Sequence, residues 1–464
     1  MPFGLCFRGR ALKLGWIDEF FKDAGDHIFA RQEDEVIILP PNQVYKANAT
    51  GIAIVEHMLR GGRVRNIPGI RDEHRAREVA AFVSCLRARY LGETGDDSQL
   101  ETVPYSFQFT RLPILGEIAV TWRCDNACRF CYAGCGTEVH AGTPRAVSGT
   151  DGKEMSREEV KRILRIFREE ARIPFFSFTG GEPLLRGDLE DMIRHARRLG
   201  LQVNLVSNGT HADARRAKSL FRAGLRTAQI SVESPDEQIH DRLTSRPGSW
   251  RRTLRGIRSL REAGISVQTN STVTALTASD AHLMPAFLKS LGVGRFAMNL
   301  YIPGARSPGS RGPGDGSQAE QDDLFLPYSQ AGSIIDRVRA AARREGLAFF
   351  WYSPIPHCHY NTIARGLGNK SCAAMDGLLS VSPAGDVLPC SSYPEPMGNL
   401  LETDFSEVWF SERARFFKEK KYAPAECEGC ESFTACQAAC PLYWRQVGTG
   451  EIRNPRRTAA CVVQ

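Results

Sequence analysis

Apolar and polar positions change rhythm twice along the chain, and the changes divide it into parts at about 1–105, 106–340 and 341–464. In the first part, His27-Ile28-Phe29, Val36-Ile37-Ile38-Leu39 and Val44-Tyr45 are short apolar stretches broken by charged and Pro-Pro turns. That pattern predicts a small antiparallel ribbon. Asn48 is suited to cap a helix over 49–60 that Gly61-Gly62 stops, and a second helix is expected over 73–90. The polar, Gly-containing stretch Glu93–Ser98 reads as a linker.

The middle part alternates strands with helices. Strands are expected at Ile118–Val120, Phe175–Phe178, Val203–Val206, Ala228–Val232, Val267–Val273 and Phe296–Ile302. Ser156 with Glu159 three residues on forms a capping box, and Val160, Ile163, Leu164 and Phe167 make one apolar stripe behind it. Further helices fall near 188–199, 213–223, 250–263 and 282–291. Parallel strands need a crossover for each return, so six strands alternating with helices predict an α/β partial (β/α)6 TIM-like barrel. Chemistry in such a barrel sits at the carboxyl ends of the strands. Pro303–Ser317, rich in Gly, Pro, Ser and Arg, is expected to be a mobile loop, as a connector or a lid, and a helix near 329–345 follows.

Composition narrows the class. No apolar run of about 18 residues is present, so no transmembrane helix is expected. Met1–Cys6 lacks the charged-then-apolar order of a secretory signal, which leaves a cytoplasmic protein as the expectation. The net charge of +7 is modest for 464 residues, and neither nucleic acid nor membrane is indicated as a partner. Arg251, Arg252, Arg255, Arg258 and Arg261 recur at helical spacing, as a solvated face or a docking face for an acidic electron donor.

The 14 cysteines carry more information. They are too sparse for a disulfide scaffold but clumped, with four between 124 and 135 and four between 427 and 440. Clumped cysteines without a secretion signal read as metal ligands. Cys124, Cys128 and Cys131 follow the first strand directly, and three thiolates in so short a loop can hold three irons of a cubane cluster and leave the fourth open. Zinc is the competing reading, with Cys135 as a possible fourth ligand.

This CxxxCxxC loop, with Phe130 as its aromatic residue, resembles the signature of radical S-adenosylmethionine (radical SAM) enzymes. The resemblance implies a [4Fe–4S] cluster whose open iron binds SAM, and reductive cleavage of SAM to methionine and a 5′-deoxyadenosyl radical. Thr179-Gly180-Gly181-Glu182-Pro183, after the second strand, is similar to the family's GGE motif. There the glycines admit a close backbone approach to the ligand, and Glu182 is suited to accept from the SAM ammonium. Ser207 and Asn208 end the third strand, and Ser231 and Glu233 the fourth; both pairs match positions that line the SAM site, though many relatives carry Asp where Glu233 stands. On the fifth strand Gln268 and Asn270 share one face, and Asn270 is suited to the SAM carboxylate.

The tail, Cys372-x12-Gly385-x4-Cys390 and then Cys427-x2-Cys430-x5-Cys436-x3-Cys440 with a final Cys461, is similar in spacing to the SPASM domain. That resemblance implies two auxiliary [4Fe–4S] clusters, one on Cys372, Cys390 and Cys440, the other on Cys427, Cys430, Cys436 and Cys461. Cys358 is expected to complete the first. With the catalytic loop this makes three clusters. Cys6 and Cys85 read as ordinary residues, and Cys135 receives no role. The N-terminal part resembles the PqqD-like winged-helix domain, whose ribbon edge accepts a leader peptide as an added strand.

The combined expectation is a radical SAM peptide maturase. It would have an N-terminal α+β winged-helix domain, a partial barrel and a C-terminal cysteine-rich iron–sulfur domain. A leader-bearing precursor and a flavodoxin or ferredoxin-type electron donor would be its partners. A sulfatase-maturing or haem-pathway enzyme, and a non-catalytic iron–sulfur carrier or peptide-binding scaffold, are the competing readings.

Overall fold

The computed structural model describes residues 13–39, 43–91, 110–135, 153–303 and 323–452. Glu93–Ser98, Cys6, Cys461 and the loop beyond Pro303 lie outside the described residues. The chain divides into two compact units, Met1–Arg111 and Leu112–Gln464. Among the described residues no helix is long and apolar enough to cross a membrane.

In the first unit, α1 (Gly15–Ala24) precedes three antiparallel strands, β1 (Phe29–Arg31), β2 (Val36–Leu39) and β3 (Gln43–Lys46), followed by α2 (Ala49–Leu59) and α3 (Glu73–Leu91). β2 lies between β1 and β3 and is buried along its whole length. Asn48 caps α2, its Oδ1 accepting from the Gly51 amide at 2.8 Å. α1 was not expected from the sequence. It starts without a side-chain cap, yet Ile17, Phe20, Phe21 and Ala24 recur at i, i+3, i+4 and i+7 and are buried. Opposite them stand Ile37, Ile52, Val55, Val79 and Val83. The β1–β2 turn holds a buried ion pair in which Arg31 Nε and Nη2 donate to the Asp34 carboxylate at 2.8 and 2.7 Å.

The second unit begins with six strand–helix repeats. The strands are β4 (Leu115–Ala119), β5 (Phe175–Thr179), β6 (Gln202–Ser207), β7 (Thr227–Ser231), β8 (Ser266–Val273) and β9 (Arg295–Leu300), each parallel to the next. Between them run α4 (Arg157–Glu169), α5 (Leu189–Arg198), α6 (Ala214–Ala223), α7 (Glu237–Thr244), α8 (Ser249–Glu262) and α9 (Met284–Ser290), and α10 (Tyr328–Glu345) follows. The Ser156–Glu159 capping box forms as expected.

The sheet does not stop at six strands. β10 (Ala348–Trp351) adds in parallel beyond β9, and β11 (Leu378–Val381) adds in parallel beyond β4. β12 (Asp386–Leu388) and β13 (Gly398–Asn399) continue antiparallel, which makes a ten-stranded mixed sheet bent into a partial barrel. Both flanking strands come from the part that reads in sequence as a cysteine-rich tail, so tail and barrel share one hydrophobic core. The short helices α11 (Phe405–Trp409), α12 (Glu412–Lys418), α13 (Phe433–Cys436) and α14 (Pro441–Val447) complete the unit.

Period-2 geometry sorts the strand residues. Ile118, Phe176, Phe178, Val203 and Leu205 join the core with α4 and α5, and Gly116 is the contact point of α4, since a Cβ there would stand 2.5 Å from the Phe167 ring. The other face carries Glu117, Ser177, Asn204, Gln229, Gln268, Asn270 and Asn299, none fully sealed from solvent. They bond to one another: Asn204 donates to Ser177 at 3.1 Å, Gln268 to Gln229 at 3.2 Å and Asn270 to Asn299 at 2.7 Å. A barrel packed for stability fills this space with branched apolar side chains. Here the interior is polar and reachable.

Candidate functional site

The loop carrying Cys124, Cys128 and Cys131 leaves the carboxyl end of β4 and is fixed by its own backbone. Ala127 N and Arg129 N donate to the carbonyls of Thr244 and Leu243 at the end of α7 (3.0 and 2.9 Å). Arg246 Nε donates to the Asp125 carbonyl at 2.5 Å. The Asp125 carboxylate accepts from Asn208 Nδ2 at 2.8 Å and Thr210 Oγ1 at 2.6 Å. Burial opposes its charge, but these bonds prevail and hold its pKa below the usual range. Asn208 Nδ2 also stands 3.9 Å from Cys124 Sγ.

Beneath this loop lies the turn after β5. Gly181 N donates to Thr121 O at 2.7 Å and Glu182 N to Arg123 O at 2.8 Å. A Cβ on Gly180, whose φ is +140°, would meet Thr121 O at 2.2 Å, and one on Gly181 would meet Arg123 O at 2.3 Å. The two glycines therefore admit the backbone of the cysteine loop, where the sequence reading had them admit the ligand.

Glu182 also has partners that the sequence did not show. It is 0% exposed and its carboxylate is taken up by three protein donors. Oε1 accepts from Leu184 N at 2.9 Å and Ser207 Oγ at 2.8 Å, and Oε2 from Asn208 N at 2.8 Å. Burial pushes its pKa up to about 7 against the pull of these bonds. Glu182 and Ser207 tie the β5 turn to the β6 turn, and through Asn208 to the cysteine loop.

Glu233, at the end of β7, is 4% exposed and accepts from Thr272 N at 2.7 Å. Burial lifts its pKa to about 8. It lines a small cleft with Ser234, Ser271 and Thr272, and its charge reaches Cys128. Ser231 pairs with Asn270 in the β7–β8 register. Asn270 Oδ1 is buried without a partner. Amide oxygens and nitrogens exchange by a flip of the side chain, so either end is available to a polar ligand. Phe130 packs beside Leu243, Tyr301 and Leu324. Gln268 lies two residues deeper than Asn270 along β8, and its amide donates to the Tyr352 hydroxyl at 2.6 Å, which places it on the barrel floor away from the cysteine loop.

Several residues here carried no sequence signal. The Glu117 carboxylate on β4 accepts from Ser380 Oγ on β11 at 2.6 Å. Burial raises its pKa, and its charge reaches both Tyr132, next to Cys131, and Cys390. Cys135 is buried, and its amide donates to Cys131 Sγ at 3.3 Å; that bond could have been suspected from the closeness of the two in sequence.

The tail thiols form two groups. Cys372, Cys390 and Cys440 stand within electrostatic reach of one another, above Lys420, whose buried Nζ donates to Cys372 O and Asp376 Oδ2 at 3.0 Å each. Cys427, Cys430 and Cys436 line a second pocket. Cys358, expected to complete the first group, lies on the loop after β10 and lines the second pocket.

The thiols suit an electron-poor metal cluster. Burial pushes Cys124 and Cys427 up to about 12 and Cys128 well above its ordinary value, so metal must displace their protons, whereas the bond from Cys135 draws Cys131 down to about 6. Among the described residues no three His, Cys, Asp or Glu side chains close on one point as a single ion requires; in a cluster each thiolate takes a different iron.

Fold and thiol pattern together define an iron–sulfur enzyme built on a partial barrel. Residues 118–284 match the Radical SAM superfamily and residues 372–431 the SPASM iron–sulfur cluster-binding domain, and the chain is a radical SAM enzyme that carries both domains. The chain is 28% identical over 330 residues to the AdoMet-dependent heme synthase of Oleidesulfovibrio alaskensis, covering 68% of this chain and 80% of that protein. It is 26% identical over 329 residues to the PqqA peptide cyclase of Gluconobacter oxydans, covering 69% and 82%. In fold it resembles Streptococcus suis SuiB crystallised with its precursor peptide SuiA, with a TM-score of 0.62 at 16% identity over 90% of this chain and 98% of that one. It also resembles anSMEcpe with bound AdoMet, with a TM-score of 0.55 at 17% identity over 72% and 91%.

Proposed function

We propose that this radical SAM/SPASM enzyme modifies a ribosomally made precursor peptide, introducing a thioether, a carbon–carbon crosslink or an epimerised residue. The observation that carries the reading is the first unit: a three-stranded ribbon whose β3 pairs on one side only among the described residues. Such an edge takes up an extended peptide as a further strand, which suits a leader-recognition domain of the PqqD-like kind. The likeness to SuiB supports this, since 90% coverage reaches beyond Leu112–Gln464 into the first unit.

In this reading Cys124, Cys128 and Cys131 hold a [4Fe–4S] cluster, and the two tail groups hold two auxiliary clusters, three in all. SAM held beside that cluster would supply hydrogen-abstraction chemistry, one electron from the cluster's donor splitting it to methionine and a 5′-deoxyadenosyl radical. The protein's own residues do the positioning. Ser231, Glu233 and Asn270 line the rim where SAM lies, Phe130 backs the loop, and the Glu182–Ser207–Asn208 bonds hold Cys124 in register. The polar lumen from Glu117 to Gln268 receives the peptide core. A flavodoxin or ferredoxin-type donor meets the exposed arginines of α8, of which Arg251, Arg255, Arg258 and Arg261 face solvent.

Deleting residues 1–100 tests the reading. The truncated protein should form methionine and 5′-deoxyadenosine from SAM under reducing conditions and lose precursor turnover. Undiminished turnover of the precursor without the first unit would sink the proposal. A haem-pathway substrate is the second reading, favoured by the 28% identity to the heme synthases; it predicts that the deletion leaves turnover of the substrate intact.

A further inference from the structure

Cys358 lies between β10 and the cysteine-rich tail, on a loop with an anchor on either side of it. His357 N donates to Cys436 Sγ at 3.3 Å, and the His359 ring nitrogen Nε2 bonds the Glu451 carbonyl at 2.7 Å. Upstream, Tyr352 N donates to Met298 O at 2.9 Å and Ser353 Oγ receives Leu300 N at 2.7 Å, while Ile355 is buried in the core. Downstream, Tyr360 Oη donates to Asp336 at 2.6 Å. With its neighbours fixed on both sides, Cys358 has little freedom. It lines one pocket with Cys427, Cys430 and Cys436, and its charge reaches both Cys427 and Cys436. The charges that bear most on Cys390 come from Cys372 and Glu117, and those on Cys440 from Cys372 and Cys390.

We propose that Cys358, Cys427, Cys430 and Cys436 form a four-thiolate cradle for one auxiliary iron–sulfur cluster, Cys358 taking the place that the SPASM resemblance gives to Cys461, separate from the group of Cys372, Cys390 and Cys440. A [4Fe–4S] cubane asks for one thiolate per iron, and this pocket supplies four from three segments: the β10 loop, the 427–430 turn and the end of α13. The His357 amide bonded to Cys436 Sγ adds a donor that steadies a thiolate and tunes a cluster's potential. The inference rests on the reading that the tail groups bind clusters.

The test uses the full-length chain with Cys124, Cys128 and Cys131 changed to Ala, so that only the tail groups contribute signals. In that background Cys358→Ala, Cys427→Ala, Cys372→Ala and the double variant Cys358→Ala/Cys427→Ala are reconstituted anaerobically. Iron per chain and the electron paramagnetic resonance spectrum of the reduced protein are then read. Cys358→Ala should alter the component that Cys427→Ala alters, leave the one altered by Cys372→Ala intact, and add no further iron loss in the double variant. Cys358→Ser, which keeps the side-chain size, should shift that component rather than abolish it, separating ligation from misfolding. An effect of Cys358→Ala on the Cys372-dependent component overturns the assignment, as does an unchanged spectrum. Reconstituted background protein that holds no iron would overturn the cluster reading itself, an outcome distinct from either.

Discussion

Replacing Glu182 by Gln sets two sizeable effects against each other. Burial raises the carboxyl from its ordinary 4.5 to about 7, so at pH 8 the wild-type protein holds a buried charge that costs roughly 3 kcal/mol relative to the neutral form. Gln removes that cost. It also replaces one acceptor oxygen by an NH2 group. In the orientation that keeps the Leu184 and Ser207 bonds, the Asn208 amide then faces a donor; in the flipped orientation the Leu184 amide does. An orphaned buried N–H costs about 1–3 kcal/mol. The two terms nearly cancel, so Glu182→Gln should unfold within about 2 kcal/mol of wild type at pH 8. Glu182→Ala orphans three donors and leaves a void, which outweighs the relieved charge by several kcal/mol.

The consequence for function is larger than that for stability. Asn208 links Glu182 to Asp125 and the Cys124 loop, so backing its amide away by a few tenths of an ångström moves the loop. Glu182→Gln should weaken SAM binding by about tenfold or more, equivalent to about 1.4 kcal/mol, and lower 5′-deoxyadenosine formation. Anaerobic chemical denaturation, SAM titration and a deoxyadenosine assay on one preparation separate the effects. Wild-type SAM affinity in a stably folded Glu182→Gln protein would refute the argument that these bonds set the loop's geometry.

Gly181→Ala places a Cβ 2.3 Å from Arg123 O; since backbone cannot give way cheaply, the protein should lose iron from the catalytic loop on reconstitution, as read by iron per chain. Asp34→Ala removes the carboxylate that pairs with Arg31, itself 2% exposed, and should destabilise the first unit by about 3–5 kcal/mol. Precursor binding would fall while SAM cleavage persists. Glu233 has a folded pKa of about 8 against an ordinary 4.5, so the native state keeps a proton that the unfolded chain has lost between those values. Stability of the iron-free protein should therefore fall as pH rises through that window, by up to roughly 5 kcal/mol from this group. In Glu233→Gln the slope should flatten, and an unchanged slope would contradict the burial argument.

What the sequence made legible was what local chemistry alone determines. The capping box at Ser156, the cap at Asn48 and the six parallel strands follow from propensity and period, because each involves residues a few positions apart. The CxxxCxxC loop was legible for the same reason: three thiolates in eight residues meet whatever the rest of the chain does. Glu182 was found but its partners were not, since Ser207 and Asn208 reach it from another strand 25 and 26 residues away. Glu117 is invisible in sequence because its partner Ser380 lies on a strand that adds to the sheet 263 residues later, and Cys390 follows on the chain beyond it. Cys358 makes the point most sharply. Nearness in sequence to Cys372 suggested a shared cluster, but the 14 intervening steps impose no such pairing, and the bonds of His357 and His359, to partners 79 and 92 residues on, decide the pocket instead. Spacing identifies a ligand set only when its members share one short loop; elsewhere the backbone anchors beside each cysteine determine which set it joins.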